Sequence, residues 1–523
     1  MLHAAGPAME EGFMLAFPDR VLHGAVANKD FFYLYGPGSL WVLAAIYKIF
    51  GVHILVERAV GLAQLVGVAV GAATIVRWWG RWVAVAAILL SVMFVMPSLQ
   101  LTAIPYTGGV AIGLASLAAL VQARHDSANG AERTAQRWAI VGGVAAGAAT
   151  LYRIDLAPAV MFAGAAALWG LPRPLARRAL AGLAVGVSPY ALQVALAGPD
   201  TVWRGMIVDP ILHLRGGRRL PVPPSPSNLQ GLARVILAID RWWPLPRLAP
   251  AGQLFAWFWL LAFLSVGLVG VAIWCVRRSP DAFRPRVLLA GALFGLATLP
   301  QAIQRADSAH FAWVSAVVVV LIPAAIVEVV TEWRPTWPIP RLGLVAGVAV
   351  IVASSVLLPT YTTRRYVALV QDSFAKPDTI PITNDGRTFY VGADPSFARS
   401  IESLLAAVDH DAKPGSRIIV GNTDLRRTPN VDTFLYYLLP HAVPGTYFME
   451  FEPGLTNRAG TRLTAEMRRA DLFIASDRWL GWDEPNTSME PGDPGPGRVL
   501  RRDFCLQASY GNGYALYRHC STR

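Results

Sequence analysis

Gly252-Gln-Leu-Phe-Ala-Trp-Phe-Trp-Leu-Leu-Ala-Phe-Leu-Ser-Val-Gly-Leu-Val-Gly-Val-Ala-Ile-Trp-Cys-Val276 contains no charged side chain, and Arg277-Arg278 follow at once. A membrane span needs roughly 20 predominantly apolar residues, so this stretch reads as a transmembrane helix that ends in arginines. Nine more candidates lie near 55–76, 83–100, 105–122, 138–152, 155–170, 179–197, 287–303, 311–330 and 342–360. The whole chain agrees with this reading. Its 523 residues are 54% hydrophobic and 15% charged, with a mean hydropathy of +0.42. Soluble domains carry about 25% charged residues, which excludes an ordinary soluble enzyme and a disordered chain alike.

The arginines sort the loops. Arg77 and Arg81, then Arg124, Arg133 and Arg137, then Arg173, Arg177 and Arg178, occupy every second loop. Arg277, Arg278, Arg284 and Arg286, and finally Arg334 and Arg341, continue the series. The loops between, such as 97–104 and 304–310, carry at most one. Cytoplasmic loops hold the Lys/Arg excess. Residues 1–54, the loop 198–250 and the C-terminal part are therefore expected outside, and the protein in the cytoplasmic membrane. Residues 1–360 hold 27 Lys and Arg against 15 Asp and Glu, while 361–523 hold 19 of each. The net charge of +12 thus belongs to the membrane half, and it is no nucleic-acid footprint. Only four of the 46 basic residues are Lys, which fits a GC-rich bacterial source.

Residues 38–50 are too short to cross and contain Lys48, so they read as an interfacial or re-entrant helix. A chain that starts outside without a leader predicts an upstream helix missing from this sequence. The segment 198–250 holds nine prolines and cannot lie bare in hydrocarbon. It is read either as a lid or binding loop or as a disordered connection.

Residues 361–523 read as an α/β domain outside the membrane, beside a membrane domain at 1–360. Strands are expected at 416–421 and 471–475, helices at 396–408, 431–439 and 462–469, and a hairpin over 498–520 around Tyr510-Gly-Asn-Gly513. Cys505 and Cys520 fall on its two arms and are expected to form a disulfide in an oxidising compartment, whereas Cys275 lies in a span. No His/Cys spacing suits zinc. Gly421-Asn-Thr-Asp lacks phosphate-loop spacing.

The densest candidate chemistry lies at the start: Glu10-Glu11-Gly12-Phe13, then Asp19-Arg20, then Asn28-Lys29-Asp30-Phe31-Phe32-Tyr33-Leu34-Tyr35-Gly36-Pro37-Gly38. Carboxylates beside a membrane are costly unless paired or useful. On composition alone these acids are either a solvated loop or a carboxylate at a cavity mouth.

The pattern acid-Glu-Gly, Asp-Phe-Phe, Tyr-Gly-Pro-Gly and a short aromatic helix ending in Phe50-Gly51 resembles the first external loop of GT-C glycosyltransferases. These polytopic enzymes take sugar from a polyprenyl-phosphate carrier; protein O-mannosyltransferases and lipid A aminoarabinose transferases are among them. The resemblance covers 9–360 in layout and is sharpest over 10–58. The C-terminal domain resembles that of actinobacterial members. In that family the first acid of the pair is the proposed catalytic base, here Glu10 with Glu11 beside it, and the choice between them stays open. Relatives often have Asp at the first position and a membrane span just before it. Several carry another acid in the second external loop. Here that loop, 97–107, has none. This speaks against a two-acid or metal-dependent mechanism: no soluble cofactor is implied, and a divalent metal stays an alternative that the sparse external acids disfavour.

Two loops supply partners for the carrier's phosphate. Tyr152-Arg153-Ile154-Asp155 offers either an Arg–Asp pair tying helix ends together or a phosphate contact. Gln301-Ala-Ile-Gln-Arg305-Ala-Asp307-Ser-Ala-His310 resembles the Arg/His loop that meets the lipid phosphate in GT-C enzymes. Arg presents a bidentate fork and His donates in either protonation state. Asp209, His213 and the arginines up to Arg219 form a third set, read either as a glycan contact or as a basic segment near headgroups. Asp30 and Asp307 are further candidates. Trp203, Trp242 and Trp243 suit sugar stacking or membrane anchoring.

The expected activity is an inverting transfer, with Glu10 or Glu11 as base and Arg153, Arg305 and His310 at the phosphate. The expected partners are a polyprenyl-phosphate-linked sugar, membrane lipid and an envelope glycan, lipid or protein acceptor, with no nucleic acid. The alternative is a transporter or flippase of lipid-linked glycans. Such proteins place charges inside the bundle, whereas here the spans are nearly free of them.

Overall fold

A computed structural model describes residues 1–224, 239–240, 247–334, 336–374, 379–481 and 484–520. The protein is a polytopic α-helical membrane protein with a C-terminal α/β domain. Among the described residues eight helices are long and apolar enough to cross a membrane: Ile54–Trp79, Arg81–Ser98, Pro105–Ala128, Arg173–Ala197, Pro250–Arg278, Phe283–Gln304, Ser308–Trp333 and Ile339–Leu357. The expected ten therefore shrink to eight. The remaining two stretches form the helix Glu132–Tyr152 and the shorter apolar helix Ile154–Leu168.

Glu132–Tyr152 falls short on apolarity because Glu132, Arg133, Gln136 and Arg137 fill its first turns, and the Ala and Gly that follow make its packing. A Cβ on Gly143 would lie 2.0 Å from the Ala179 carbonyl oxygen, and one on Gly182 2.3 Å from that of Ile140. The backbones of Glu132–Tyr152 and Arg173–Val187 thus touch, which is how small residues join helices where lipid removes the hydrophobic drive. Outward-facing Phe263, Val266, Val345 and Val348 are exposed, as lipid-facing side chains should be.

Three helices at the start carry the site: α1 (Ala8–Leu22), α2 (Gly38–Phe50) and α3 (Ile54–Val76). Helix α1 lies outside the expected elements, since Pro18 interrupts its pattern. Two apolar cores organise the molecule. One runs through the bundle, from Val68 to Leu358. The other joins Met14, Phe17, Phe31 and Tyr47 to Phe434, Tyr437, Phe448 and Ile474. The N-terminal segment therefore shares its core with the C-terminal domain, and this fixes the two halves against each other at one end of the bundle.

The C-terminal sheet has the spatial order Val443–Pro444, Arg417–Asn422, Leu472–Ser476, Tyr514–His519, Phe504–Tyr510. The first three strands run parallel, and Tyr514–His519 pairs antiparallel with both its neighbours, Leu472–Ser476 and Phe504–Tyr510. Leu472–Ser476 is buried along its length, as a central strand of continuous apolar sequence requires. The expected helices appear as Pro395–Asp411, Phe434–Leu438 and Leu463–Met467. The hairpin starts only at Phe504, because Gly495–Asp503 is helical. Cys505 and Cys520 are disulfide-bonded across its arms. A further hairpin, Thr379–Asn384 with Arg387–Gly392, turns on Asp385-Gly386, both at positive φ. That dipeptide is its sequence signal.

Candidate active site

The two adjacent acids have different fates. Helix α1 turns Glu11 into the protein, where Arg58 of α3 grips it with Nε at 2.7 Å from Oε1 and Nη2 at 2.9 Å from Oε2. Each side chain is 1% exposed. Arg58 also donates to the carbonyls of Met1 and Leu2, so the pair is saturated. Glu10 lies partly buried on another face of α1. Desolvation raises its carboxyl pKa to about 7; Asp307 and Glu11 add to this, while Arg305 and its own backbone hydrogen bond oppose it. A carboxyl poised there is the kind that serves as a general base near neutrality.

Arg305 and Asp307 lie between the helices Phe283–Gln304 and Ser308–Val318. Asp307 is the N-cap of the second. Its Oδ1 accepts from the His310 backbone N–H at 2.9 Å and lies 2.8 Å from His310 Nδ1. Arg305 donates from Nε to Asp307 at 3.2 Å and from Nη2 to Glu484 at 2.8 Å. Burial works against both charges, yet these contacts hold the Asp307 carboxyl far below its ordinary value and the Arg305 guanidinium above its own.

Arg153 occupies the next position along the same end of the bundle. It forms both expected contacts of its pair, Nε at 3.0 Å and Nη2 at 2.5 Å from the Asp155 carboxylate. Gln301 hydrogen-bonds both partners, which ties this loop to the Arg305 loop. The guanidinium sits 4.5 Å from the centroid of the Tyr35 ring and 5.4 Å from that of Tyr106. Tyr106 stacks on Trp313 at 4.7 Å, and Trp313 lies 4.5 Å from the His310 ring. Arg153, Arg305 and His310 are thus joined by one aromatic and carboxylate chain.

The Tyr-Gly-Pro-Gly turn has a steric reason. A Cβ on Gly36 would meet the Leu151 carbonyl oxygen at 2.0 Å, and Gly36 N–H donates to the Tyr152 carbonyl at 3.1 Å. The glycine lets the loop lie flat on the end of Glu132–Tyr152, and this sets Tyr35 over Arg153.

The C-terminal domain packs against this candidate site, one of the roles that the sequence left open for it beside binding an acceptor glycan or a partner. Phe32 N–H donates to the Tyr447 carbonyl at 2.7 Å, and the Tyr447 hydroxyl donates to the Asn28 carbonyl at 3.0 Å. This seam brings the segment Glu450-Phe451-Glu452 to the Tyr35 side. Arg218 donates from Nε to Glu452 at 3.0 Å and from Nη2 to the Phe451 carbonyl at 2.8 Å. The Arg218 carbonyl in turn accepts from Arg305 Nη1 at 3.4 Å.

Other candidates lie elsewhere. Asp30 is exposed and accepts from the Val26 backbone N–H at 2.7 Å, closing its own turn. Asp209 and His213 pair at 2.8 Å on the π-helical segment Arg204–Leu214, and His213 Nε2 lies 3.1 Å from Arg458 Nη1. They dock that segment on the C-terminal domain. Trp203 is exposed, whereas Trp242 and Trp243 lie outside the described residues. Among the described residues no three His, Cys, Asp or Glu side chains converge as metal ligands.

An apolar groove of about 650 Å³ opens between α2, α3 and the helix Pro105–Ala128. Val42, Phe50, Leu55 and Ile112 line it together with Gln64 and Tyr152, the residue before Arg153.

No protein-family model matches the chain, and no curated protein matches it in sequence. Among solved structures it is similar to ArnT from Cupriavidus metallidurans bound to undecaprenyl phosphate, with a TM-score of 0.52 and 14% identity over 99% of this chain and 95% of that one. The apo state of the same protein gives a TM-score of 0.51 at 16% identity, over 98% and 94%. The Archaeoglobus fulgidus oligosaccharyltransferase AglB, in complex with an inhibitory peptide and a dolichol-phosphate, is more distant, at 0.46 and 11% over 99% and 71%. The likeness to ArnT over nearly both whole chains shows that this chain shares the ArnT fold.

Proposed function

We propose that the protein is an inverting glycosyltransferase that moves a sugar from a polyprenyl-phosphate carrier to an acceptor hydroxyl at the end of the bundle bearing the C-terminal domain, outside the cytoplasmic membrane. The observation that carries this reading is the split of the two acids: Glu11 is spent on Arg58, while Glu10 lies within electrostatic reach of Arg305 with its pKa lifted to about 7. The apolar groove suits an isoprenoid chain, and Tyr152 in its lining precedes Arg153, the side chain assigned here to the phosphate.

In this mechanism Glu10 takes the proton from the acceptor hydroxyl as that oxygen attacks the anomeric carbon. The bond between the anomeric carbon and the phosphate oxygen breaks, its electron pair leaves with polyprenyl phosphate, and the configuration inverts. Arg305, Arg153 and His310 stabilise the departing phosphate. A positioned base contributes about 10²–10⁴-fold, and electrostatic stabilisation of developing charge commonly contributes more than any other single effect. The sugar is a pentose or hexose carried on such a lipid, and the acceptor belongs to the cell envelope.

The test is transfer of radiolabelled sugar from polyprenyl-phosphate donors to envelope glycan extract by purified full-length protein, comparing wild type with Glu10→Gln, Glu11→Gln and Arg305→Ala. Loss of transfer in Glu10→Gln, with folding intact, is the expected result. Unchanged transfer in all three variants would sink this mechanism. If wild type transfers nothing while lipid-linked glycan crosses proteoliposomes, the flippase reading replaces it.

A further inference from the structure

The segment Glu450-Phe451-Glu452 brings two carboxyl groups from the C-terminal domain to the site, and only one is well paired. Glu452 Oε2 meets Arg218 Nε at 3.0 Å. Glu450 Oε1 has only a long contact to Arg218 Nη2, at 3.4 Å. Its Oε2 is shut off from solvent and has no hydrogen-bond partner among the described residues. The residue is 7% exposed. Leaving a buried acceptor unmade is costly, and native structures rarely tolerate it without a purpose.

The surroundings narrow the purpose. Arg218 links Glu450 to Arg305, since its Nη2 lies 3.4 Å from Glu450 Oε1 and its carbonyl accepts from Arg305 Nη1 at 3.4 Å. Glu10 and Tyr35 lie within electrostatic reach, so Glu450 borders the proposed site. Glu450 Oε2 is a carboxyl oxygen, so its natural partner is a hydroxyl or other neutral polar group and not the phosphate, which the neighbouring arginines suit better. Burial, helped by Glu452, pushes the Glu450 carboxyl well above the usual carboxylate range. A neutral carboxylic acid both donates and accepts, as does a sugar hydroxyl.

We infer that Glu450 is a substrate-contacting residue, its free carboxyl oxygen hydrogen-bonding hydroxyls of a sugar ring held between the C-terminal domain and Glu10. The C-terminal domain on this view supplies part of the sugar site itself. The inference rests on the glycosyl-transfer reading for which substrate is bound, since both the donor sugar and a glycan acceptor offer the same hydroxyl chemistry.

Binding separates the possibilities. Wild type, Glu450→Gln and Glu450→Ala, as purified full-length protein, are titrated with bare polyprenyl phosphate and with polyprenyl phosphates bearing a pentose, a hexose or an aminopentose. Envelope oligosaccharide fragments are titrated separately, and melting temperatures are recorded throughout. The expected result is tighter binding of one sugar lipid over bare lipid in wild type, with that advantage cut about tenfold in Glu450→Ala and bare-lipid affinity unchanged. The same loss confined to the oligosaccharide assigns the contact to the acceptor. Equal weakening of every ligand together with a lower melting temperature makes Glu450 structural and overturns the inference. So does an unchanged preference in both variants, or a wild type that binds sugar lipid and oligosaccharide no better than bare lipid. Transfer that proceeds unchanged in the Glu450 variants rejects this inference alone. A Glu450-dependent sugar preference without any transfer rejects the enzymatic reading and leaves the contact standing.

Discussion

Arg58 holds Glu11 through two hydrogen bonds, at 2.7 and 2.9 Å, in an environment where each side chain is 1% exposed. This pair decides which of two neighbouring acids is available. A carboxylate that gives both oxygens to a guanidinium is a poor base, which is why the proposed mechanism assigns the chemistry to Glu10. Breaking the pair from one side leaves a buried uncompensated charge, which typically costs roughly 3–5 kcal/mol. Arg58→Met should therefore lower the melting temperature of the purified protein sharply. The double variant Arg58→Met/Glu11→Leu should recover most of that loss, and equal melting of single and double variants would count against the account.

Glu10 predicts the pH profile. In the proposed mechanism Glu10 acts ionised and its pKa stands at about 7, so kcat/KM should rise with pH and level off above about 7. Glu10→Gln should reduce kcat by about 10²–10⁴-fold and abolish the rise. Stability runs the other way. A carboxyl raised from its ordinary 4.5 to about 7 stabilises the fold below pH 4.5, and that contribution is lost as pH climbs through 7. Melting temperatures of Glu10→Gln measured across this window should lack that component of the decline.

Much of this was legible from residue order alone, for physical reasons. Long apolar runs such as 252–276 announce spans because hydrocarbon leaves the backbone no alternative to the helix. Glu132–Tyr152 misled the count because polar residues fill its first turns, while its Gly and Ala make their energy from contact with Gly182 and Gly186. Helix α1 was hidden by Pro18. The acidic pair and the Arg305 loop could be located, since local spacing carries them. Their division of labour could not, because Arg58 is 47 residues from Glu11 and Glu484 is 179 from Arg305. Glu450 meets Arg218 across 232 residues, and nothing around it in sequence signals the encounter.

Gly36 tests the turn that seats Tyr35. A Cβ there would fall 2.0 Å from a backbone carbonyl oxygen, which no rotamer change relieves. Gly36→Ala should lift the loop from Glu132–Tyr152 and uncouple Tyr35 from Arg153. Transfer should fall by at least about tenfold, the loss expected when even small misplacements disturb positioning. Tyr35→Phe keeps the ring over Arg153 and should retain most activity; comparable losses in the two variants would place the effect in the hydroxyl instead.

The Cys505–Cys520 bond closes a loop of 15 residues and should stabilise the C-terminal domain by roughly 3 kcal/mol. Reduction, or Cys505→Ser/Cys520→Ser, should lower its melting temperature. Because this hairpin lies on the edge of the sheet away from Glu450, donor affinity at low temperature should hold.

Arg305 separates charge from geometry. Its charge lowers the Glu10 pKa, against the raising effects of burial and Asp307. Arg305→Ala should therefore move the acid limb of the rate profile to higher pH and cut the plateau rate by about 10²–10³-fold, as losing one stabilising donor of developing charge does. Arg305→Lys keeps the charge but gives up the fork that reaches Asp307 and Glu484 together. It should return the limb toward pH 7 while leaving the plateau depressed. A limb that stays in place in Arg305→Ala would mean that Glu10 does not sense this guanidinium, and would remove the electrostatic link between base and phosphate site on which the mechanism depends.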